Sequence, residues 1–241
     1  MPSLNAMIRR SLTLAASVAS RFAGVQIDEA HGSELELDEL ERFRYRIYIE
    51  ELGKSLPGAD HARHRLGDAD DASAFHFIAH SDGGDVVGCV RLHMAPDIPA
   101  NCIAQLGLAR FAAAHDRAFG YVSKLMIQRD LRGLGIAQEL MRHMVRFGHS
   151  APFFGETAFF HCHPRLVPTY ERVGFRRFGR IFRDPHVGRQ VPMHIVGGDV
   201  AHFERCRSSL LRTAREFRID DVRKARLFAL IPRATEDLES V

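Results

Sequence analysis

Apolar and polar residues follow helical and alternating periods along the chain, and the first half predicts a helix, a loop and a hairpin. The stretch 36–53 repeats apolar residues at helical spacing and ends at a glycine. Its expected core-facing residues are Leu40, Phe43, Ile47 and Leu52. The next stretch, 54–72, is rich in glycine, proline, histidine and charge, so we expect a long loop there.

Two apolar runs, 75–81 and 86–94, are separated by Asp-Gly-Gly-Asp and predict an antiparallel hairpin. Residues 95–120 contain two prolines and then an apolar periodic piece, so we expect a loop with one helix. A strand over 121–127 leads into a glycine-rich turn, and the turn opens into a helix from 136 to 147.

The last third alternates between strand and helix patterns, which predicts one α/β domain with a mixed sheet. The elements expected there are a strand at 156–163, a short helix at 166–175, strands at 178–184 and 191–197, and a basic amphipathic helix at 201–218. We expect the domain to span residues 31–200, with a helical extension over 201–241 packed on it.

Residues 1–30 predict an amphipathic N-terminal helix followed by a polar joint at 28–34. Such a helix packs on the domain or lies on a membrane surface, so residues 1–25 are the candidate for peripheral membrane contact. A basic start before a short apolar stretch also fits a secretory signal, which stays open as an alternative.

Composition favours a self-folding cytoplasmic protein. The chain has 241 residues, of which 46% are hydrophobic, enough for a buried core. The 33 basic and 30 acidic residues leave a net charge of +3, which gives no sign of a nucleic-acid partner. The four cysteines form no CxxC pair, and no apolar run approaches the roughly 20 residues of a membrane span.

The most informative stretch is 121–147, where a strand runs into Arg132-Gly-Leu-Gly and then into a helix. Gly133 and Gly135 let the backbone approach a ligand, and the exposed amides of a helix N-terminus attract phosphate oxygens. A dinucleotide-binding turn needs a third glycine and a P-loop needs a Gly-Lys-Ser/Thr ending, and the chain has neither. An ordinary tight turn remains the structural alternative.

These residues fit a known signature. The hexapeptide Arg132, Gly133, Leu134, Gly135, Ile136, Ala137 resembles the Arg/Gln-x-x-Gly-x-Gly/Ala motif of the GNAT acyltransferase superfamily, and Tyr170, Glu171, Gly174, Phe175 resembles the family's Tyr-Glu-x-x-Gly-Phe element. The resemblance covers roughly residues 40–200. It implies a mixed, mostly antiparallel sheet flanked by helices, and a pyrophosphate site of coenzyme A at residues 132–137.

Within the superfamily, residues 44–53 and 122–127 are similar to the branch of long-chain N-acyl amino acid synthases and homoserine-lactone autoinducer synthases. That resemblance implies an acyl donor carried on the phosphopantetheine of acyl carrier protein, or less directly an acyl-CoA, with no prosthetic group. The chain departs from the autoinducer synthases at Tyr121–Lys124, where their Glu-x-Ser-Arg element would supply a base.

Amide formation from a thioester needs a neutral amine, polarisation of the carbonyl oxygen and a proton for the thiolate. The backbone amides of Leu125, Met126 and Ile127 are candidates for the polarisation. Tyr170 resembles the family's general acid, and its phenol with an ordinary pKa near 10 can protonate a thiolate; packing on the sheet is its structural alternative. Candidates for the base are Glu156, near a strand start, and Glu50 or Glu51 at a helix end.

Several residue groups point to other sites more weakly. His161, Cys162 and His163 lie close in sequence, but they lack a further ligand for a metal. The phenylalanines Phe153, Phe154, Phe159 and Phe160 fit a core better than an acyl tunnel. Arginines cluster at 142–146 and 172–183, where an acidic carrier protein could dock.

The sequence therefore predicts an N-acyltransferase that moves a medium or long acyl chain to the amine of an amino acid or similar small molecule. An acetyl-CoA-dependent N-acetyltransferase is the first alternative. A catalytically silent member of the fold, acting as a ligand sensor or interaction module, is the second. A nucleic-acid-binding role for the basic segment 204–218 is a weaker alternative, because the segment lacks interleaved aromatic residues and any recognisable module.

Overall fold

The computed structural model describes residues 25–30, 34–150 and 152–235, and these residues are arranged around an eight-stranded mixed sheet. Its strands are β1 (Val25–Ala30), β4 (Phe75–Ser81), β5 (Val86–Met94), β6 (Gly120–Ile127), β7 (Thr157–Cys162), β8 (Arg176–Arg177), β9 (Phe182–Asp184) and β10 (Gly188–Val196). A separate two-stranded ribbon consists of β2 (Ala59–Asp60) and β3 (Arg65–Leu66). The mixed, mostly antiparallel sheet flanked by helices is thus confirmed.

Helices connect and cover the strands. The α-helices are α1 (Glu34–Tyr45), α2 (Ala100–Gln105), α3 (Ala109–Ala114), α4 (Ile136–His149), α5 (Val167–Val173), α6 (Val200–Arg205), α7 (Leu211–Glu216) and α8 (Asp221–Leu230). A π-helix, Arg46–Glu51, continues α1, and short 3-10 turns lie at Ala69–Ser73, Arg129–Leu131 and Pro164–Leu166. No described helix is long and apolar enough to cross a bilayer.

Strand order in the sheet is β1-β4-β5-β6-β7-β10-β8, with β9 paired to β10. The neighbours β6 and β7 are parallel, because α4 carries the chain back between them, and the other described pairs are antiparallel. The hairpin predicted at 75–81 and 86–94 is confirmed as β4 and β5.

Apolar residues bury both faces of the sheet. On one face α4 packs Leu140, Met141 and Met144 against the middle strands, and α6 and α7 extend that layer. On the other face α1 covers β4 and β5, and α2, α3 and α8 cover β6, β7 and β10. The second face therefore has two separate apolar clusters, and polar side chains lie between them.

The predicted helix at 36–53 is correct in position and wrong at its end. Leu40, Phe43 and Ile47 are buried as predicted, but Leu52 is 49% exposed. The i+5 bonding of the π-helix turns its last residues away from the apolar face that a continuous α-helix would keep. Gly53 follows with a left-handed φ of 60°.

Other boundaries also differ from the sequence prediction. Residues 25–30 form edge strand β1 where a helix and a polar joint were expected, and the helix predicted before them lies outside the described residues. The loop at 54–72 contains the β2–β3 ribbon and a 3-10 turn. Single helices were expected at 95–120 and 201–218. Each is two short helices, because Gly107 and Arg207 adopt left-handed φ angles of 65° and 51°.

Candidate active-site cleft

Strands β6 and β7 separate soon after they begin. Their parallel pairing consists of Gly120 with Ala158 and Tyr121 with Phe159. Because both strands continue beyond these pairs, they diverge and leave a cleft between them, open at their carboxyl ends and closed at the paired residues. The facing edge of β6 therefore keeps backbone groups free of a strand partner, which suits pairing with an extended ligand.

The glycine-rich turn lies at the open end of the cleft. Gly133 and Gly135 have φ angles of 85° and 91°, and Gly135 is the N-cap of the 14-residue helix α4. A Cβ at Gly133 would contact nothing within 4 Å, so its left-handed backbone rather than crowding explains the glycine. Leu134 is exposed, whereas Ile136 is buried. The turn can thus offer backbone amides and a helix N-terminus to an anion.

Arg132 is held in place beside the turn. Its Nε donates to the carbonyl oxygen of Ile127 at 3.0 Å, and its terminal nitrogens contact both carboxylate oxygens of Glu51 at 2.6 and 2.8 Å. The paired contact orients the guanidinium at low entropic cost, while its side chain stays 43% exposed. Glu51, one of the predicted base candidates, is therefore occupied in positioning Arg132.

A β-bulge interrupts β6 in the middle of the cleft. Cys89 of β5 pairs with Met126 and Arg91 with Ser123, so Lys124 and Leu125 together oppose a single residue of β5. Lys124 has a left-handed φ of 54°. The bulge re-aims the backbone next to the predicted amides of Leu125, Met126 and Ile127, and sequence reasoning did not detect it.

Tyr170 lies on α5, directly beyond the end of β7. Its ring packs edge-on against Phe160 at 4.6 Å and against Phe175 at 5.6 Å between ring centroids. Burial raises the pKa of its phenol, and Cys162 and Tyr48 raise it further. A phenol with a raised pKa stays protonated at neutral pH and so keeps a proton for a leaving thiolate.

Five charged side chains form a cluster beside the bulge, which we call the cleft cluster: Arg44, Asp68, Asp71, Arg91 and Lys124. Arg44 contacts Asp71 at 2.7 Å, and one Arg91 nitrogen contacts Asp68 at 2.6 Å and Asp71 at 2.9 Å. The ammonium of Lys124 lies 2.5 Å from Asp68. Four separate segments of the chain contribute these groups, so no local motif announces them.

Two neutral side chains complete the bonding of the cleft cluster. His76 accepts from Arg44 at its Nδ1, 3.1 Å away, because its Nε2 faces the carbonyl oxygen of Asp71 at 3.1 Å and must donate to it. The Nε of Arg91 donates to the hydroxyl of Ser123 at 2.9 Å. Arg44 is fully buried and Arg91 nearly so, which makes their carboxylate partners indispensable.

Electrostatics keeps the cleft cluster ionised. Burial alone would raise the pKa of Asp68, but Lys124 and Arg91 outweigh it and lower that pKa. The same balance, with Arg44 and Arg91 as the cations, holds the pKa of Asp71 well below its ordinary range. Burial and the two arginines lower the pKa of Lys124. Asp68, 33% exposed, and Lys124, 14% exposed, are the members that a ligand can reach.

The π-helix brings a further phenol to this region. Tyr48 packs against the apolar cluster that contains Cys89 and Met126, next to the bulge. Burial raises its pKa to about 12, and its electrostatic influence extends to Tyr121 and Tyr170. π-Helical turns recur at functional sites, but an isolated tyrosine in a helix gave no signal for this placement in the sequence.

The structure places neither predicted base near the bulge as a free carboxylate. Glu50 lies on the surface, where its Oε1 is 2.9 Å from Nδ1 of His64 and its side chain is 48% exposed. Glu156 precedes β7 and therefore lies at the closed end, opposite the glycine-rich turn. Neither position supports the role that the sequence suggested.

Glu156 instead belongs to what we call the closed-end cluster, which consists of Asp116, Arg117, Glu156 and Arg223. The Glu156 carboxylate is 5% exposed and contacts Arg223 at 2.6 Å and Arg117 at 3.0 Å. Arg223 of α8 also contacts both oxygens of Asp116 at 2.6 and 3.0 Å. These contacts fasten α8 to the start of β7.

The histidine-cysteine group at 161–163 is divided by the strand. His161 and Cys162 point to opposite faces of β7, with Cys162 in the apolar core under α4 and 3.6 Å from the sulfur of Met193. His163 lies beyond the strand and caps the turn at Pro164–Leu166. Within the described part of the chain, no three histidine, cysteine or acidic side chains come together as metal ligands.

Most of the arginines that suggested an acidic partner are paired within the chain. Arg142 pairs with Glu139, Arg146 with Glu216, Arg176 with Asp199 and Arg177 with Glu171. A different surface rims the open end of the cleft, and its exposed members are Arg129, Leu134, Arg165 and Leu166. We call this surface the entrance rim.

One family model matches most of this chain. The model of the family described as N-acyl amino acid synthase FeeM matches residues 39–196, about two thirds of the chain. A search of the curated proteins gave no match. The matched span contains the glycine-rich turn, the bulge, Tyr170 and the whole cleft cluster.

Solved structures share the fold at low identity. FeeM, an N-acyl amino acid synthase from uncultured soil microbes, is 14% identical with a TM-score of 0.57, over 78% of this chain and 98% of that chain. The acyl-homoserine lactone synthase LasI is 21% identical with a TM-score of 0.55, over 71% and 88%. The CoA-dependent acyl-homoserine lactone synthase BjaI is 17% identical with a TM-score of 0.55, over 80% and 100%.

Proposed function

Because the chain belongs to the N-acyl amino acid synthase FeeM family, we propose that it moves a medium or long acyl chain from an acyl carrier protein to the amino group of an amino acid. At the level that the family establishes, the chain is an acyltransferase enzyme acting on an amine. One observation supports the proposed donor and acceptor. The cleft between β6 and β7 has an anion-binding turn at its open end and a mixed-charge cluster beside its bulge.

The donor enters from the open end in this proposal. The amides of the turn at residues 132–137 and the oriented Arg132 hold the phosphate of phosphopantetheine, or the pyrophosphate of coenzyme A. The pantetheine arm then pairs with the free edge of β6. Its thioester carbonyl reaches the amides of Leu125, Met126 and Ile127, which polarise the oxygen, and Tyr170 protonates the departing thiolate.

The acceptor lies at the cleft cluster. A free amino acid carries an ammonium and a carboxylate, and the accessible members of the cluster, Asp68 and Lys124, offer one group of each opposite charge 2.5 Å apart. That arrangement supports an amino acid over an amine that has no carboxylate. Binding would orient the amino group toward the carbonyl held at the bulge.

The entrance rim supports a carrier protein as the donor. Exposed arginines steer an acidic partner, and two leucines, Leu134 at 52% and Leu166 at 47% exposure, offer apolar contact to a protein surface. Coenzyme A needs the cations but has no use for exposed leucines on the rim. We therefore propose acyl carrier protein as the partner at Arg129, Leu134, Arg165 and Leu166.

One observation favours the second candidate, acetyl transfer from acetyl-CoA. The cavity at the closed end, between α4 and the strands, has a volume of only about 30 Å³, and its lining includes Met94, Gly120, Met144 and Gly148. A cavity of this size has no room for a long chain. A long chain requires the flexible methionine side chains to move aside.

The test uses the purified chain with acyl carrier protein or coenzyme A bearing acyl groups of increasing length, a mixture of amino acids, and mass spectrometry of the products. We expect N-acyl amino acids from the carrier-bound medium and long chains. Product from acetyl-CoA alone would favour the second candidate, and no product from either donor would contradict both.

A charge reversal on the entrance rim sharpens the choice of donor. Arg165→Glu should slow transfer from the carrier protein about tenfold and leave transfer from acyl-CoA unchanged, since only the protein contacts the rim. Arg226→Glu is the matched control, because Arg226 is exposed on α8, away from the entrance. Equal loss with both donors would contradict the docking surface.

A further inference from the structure

Tyr121, His161 and Gln190 form a hydrogen-bonded row across the cleft. The Tyr121 hydroxyl is 3.2 Å from Nε2 of His161, and Nδ1 of His161 is 3.1 Å from Oε1 of Gln190. The Gln190 amide nitrogen faces the carbonyl oxygens of Val187 and Gly188, so Oε1 is left as the acceptor. His161 therefore donates from Nδ1, and its bare Nε2 accepts the Tyr121 hydroxyl proton.

The row lies where β6 and β7 begin to separate. Tyr121 belongs to the last parallel pair, and His161 is two residues further along β7, level with Ser123 across the cleft. Ser123 precedes Leu125 by two residues, which is about 7 Å along a strand. Tyr121 and Gln190 are buried, whereas His161 remains partly exposed to the cleft. A proton acceptor thus lies close to the bulge that is proposed to hold the thioester.

Acyl transfer needs such an acceptor, because the attacking nitrogen must lose a proton. Glu50 and Glu156 lie elsewhere: Glu50 is hydrogen-bonded to His64 at the surface, and Glu156 is held in ion pairs. The carboxylates of the cleft cluster each contact two cations, which stabilises their charged form and weakens them as bases. His161 has a neutral nitrogen whose bonding fixes its tautomer.

We propose that Tyr121 and His161 together accept the proton of the acceptor amine; this inference rests on the proposed function. The ammonium of the acceptor first releases one proton to water. As the neutral nitrogen then bonds to the thioester carbon, a second proton passes from it to the Tyr121 oxygen while the Tyr121 proton passes to Nε2 of His161. The carbon–sulfur bond breaks, and the thiolate takes its electron pair and receives a proton from Tyr170. The His161 imidazolium, still donating to Gln190, then releases its proton to water, and the Tyr170 phenolate regains a proton from water, which restores both residues.

The surroundings of His161 support a neutral resting state. The titratable or charged groups facing it are Tyr121 from β6 and Asp184 from β9, and Cys102 and Arg91 lie behind Tyr121. Burial lowers the pKa of His161 below its ordinary 6.5, and Gln190 and Asp184 oppose that shift without reversing it. Asp184 can also stabilise the imidazolium once it forms. The ring is thus an available acceptor at neutral pH.

His161→Gln tests the relay, because glutamine keeps a hydrogen-bonding side chain but cannot take up the proton. We expect kcat to fall about 100-fold with an unchanged KM for the acyl donor, and the decline of kcat below pH 6.5 to disappear. Tyr121→Phe should lose as much, and the double variant should lose no more than either single one. His186→Gln is the matched control, because His186 is exposed in the turn between β9 and β10.

The outcome that overturns the relay is specific. A His161→Gln enzyme that keeps both its kcat and its acid decline would contradict it, and so would a lower kcat with the acid decline unmoved, since that pattern marks a structural role. Circular dichroism and urea unfolding of both variants separate misfolding from lost chemistry. Absence of wild-type amide formation would contradict the proposed function and the relay together, whereas wild-type activity retained by His161→Gln contradicts the relay alone.

Discussion

Two groups of arginines and carboxylates lie at opposite ends of the β6–β7 pair. The closed-end cluster contains Glu156 between Arg223 and Arg117, where the two strands are still paired. The cleft cluster lies beside the bulge, where they have separated. The two groups are alike in residue types and in contact distances. They differ in what surrounds them.

At the closed end, the paired strands and α8 leave the Glu156 carboxylate 5% exposed and its neighbours committed to one another. In the cleft, Asp68 and Lys124 are accessible, and a separated strand edge, three phenols and a neutral histidine lie nearby. Composition alone does not distinguish a structural ion pair from a substrate site. Position relative to the opening in the sheet is the ground on which the cleft cluster is proposed as the acceptor site.

The cleft and the closed end can be compared by mutation. Removal of the Tyr170 hydroxyl in the cleft should cause the largest loss of activity. Tyr170→Phe keeps the ring that packs on Phe160, so the fold should persist, but the thiolate loses its proton donor. We expect kcat to fall about 100-fold, or roughly 2.7 kcal/mol, with donor KM within about twofold. Steady-state kinetics with the preferred donor measures it. An unchanged kcat would remove Tyr170 from the acid role.

A change at the closed end should act on stability and leave catalysis intact. Glu156→Gln removes the charge that Arg223 and Arg117 share, which should lower the free energy of unfolding by about 2 kcal/mol. Because the carboxylate is far from the bulge, kcat should stay within about twofold of the wild type. Urea unfolding and kinetics on the same preparation test both halves. A folded Glu156→Gln enzyme with a large loss of kcat would restore Glu156 as the base.

The sequence predicted those parts of the fold that depend on local pattern. The hairpin of β4 and β5, the strand-turn-helix from β6 to α4 and the short helix α5 follow from alternation, helical spacing and glycine chemistry, and the structure has all of them. Strand β1 was missed because its alternation is short, with Val25 and Ile27 as its buried apolar residues, and its pairing with β4 joins residues about 50 positions apart in sequence. Edge strands gain their hydrogen bonds from distant partners.

The residues of the candidate site also divide into those that a local motif predicts and those that it does not. Gly133, Gly135 and Tyr170 belong to contiguous motifs, so one sequence was enough to nominate them. The cleft cluster draws Arg44, Asp71, Arg91 and Lys124 from separate elements, and each alone reads as an ordinary surface charge. Glu156 was nominated as a base from its proximity to a strand start, but that proximity does not say which end of the sheet the start occupies, and the structure has it at the closed end.

The effect that appears only gradually, as the pH is lowered, is a change in stability that belongs to the cleft cluster. Burial and the neighbouring Arg44 lower the pKa of His76 to about 4, since a proton on Nδ1 would replace the bond from Arg44 with a charge facing a charge. The unfolded chain takes up that proton near pH 6.5, whereas the folded chain does so only near 4. Stability from this group is therefore present above pH 6.5 and falls by about 1.4 kcal/mol for each pH unit below it.

Urea unfolding of the wild type and His76→Gln at pH 7, 6 and 5 isolates this contribution by difference. Other buried histidines with lowered pKa values, such as His161 and His194, are common to both proteins, and Asp71 and Asp68 remain charged in both states. His76→Gln should be less stable than the wild type at pH 7 and should lose less stability on acidification. His80→Gln is the control on the same strand, since His80 lies at the end of β4 and bonds to the carbonyl oxygen of Gly84. If His76→Gln and the wild type kept parallel pH profiles, the proton would be entering elsewhere, and the cleft cluster would be as insensitive to acid as a structural ion pair.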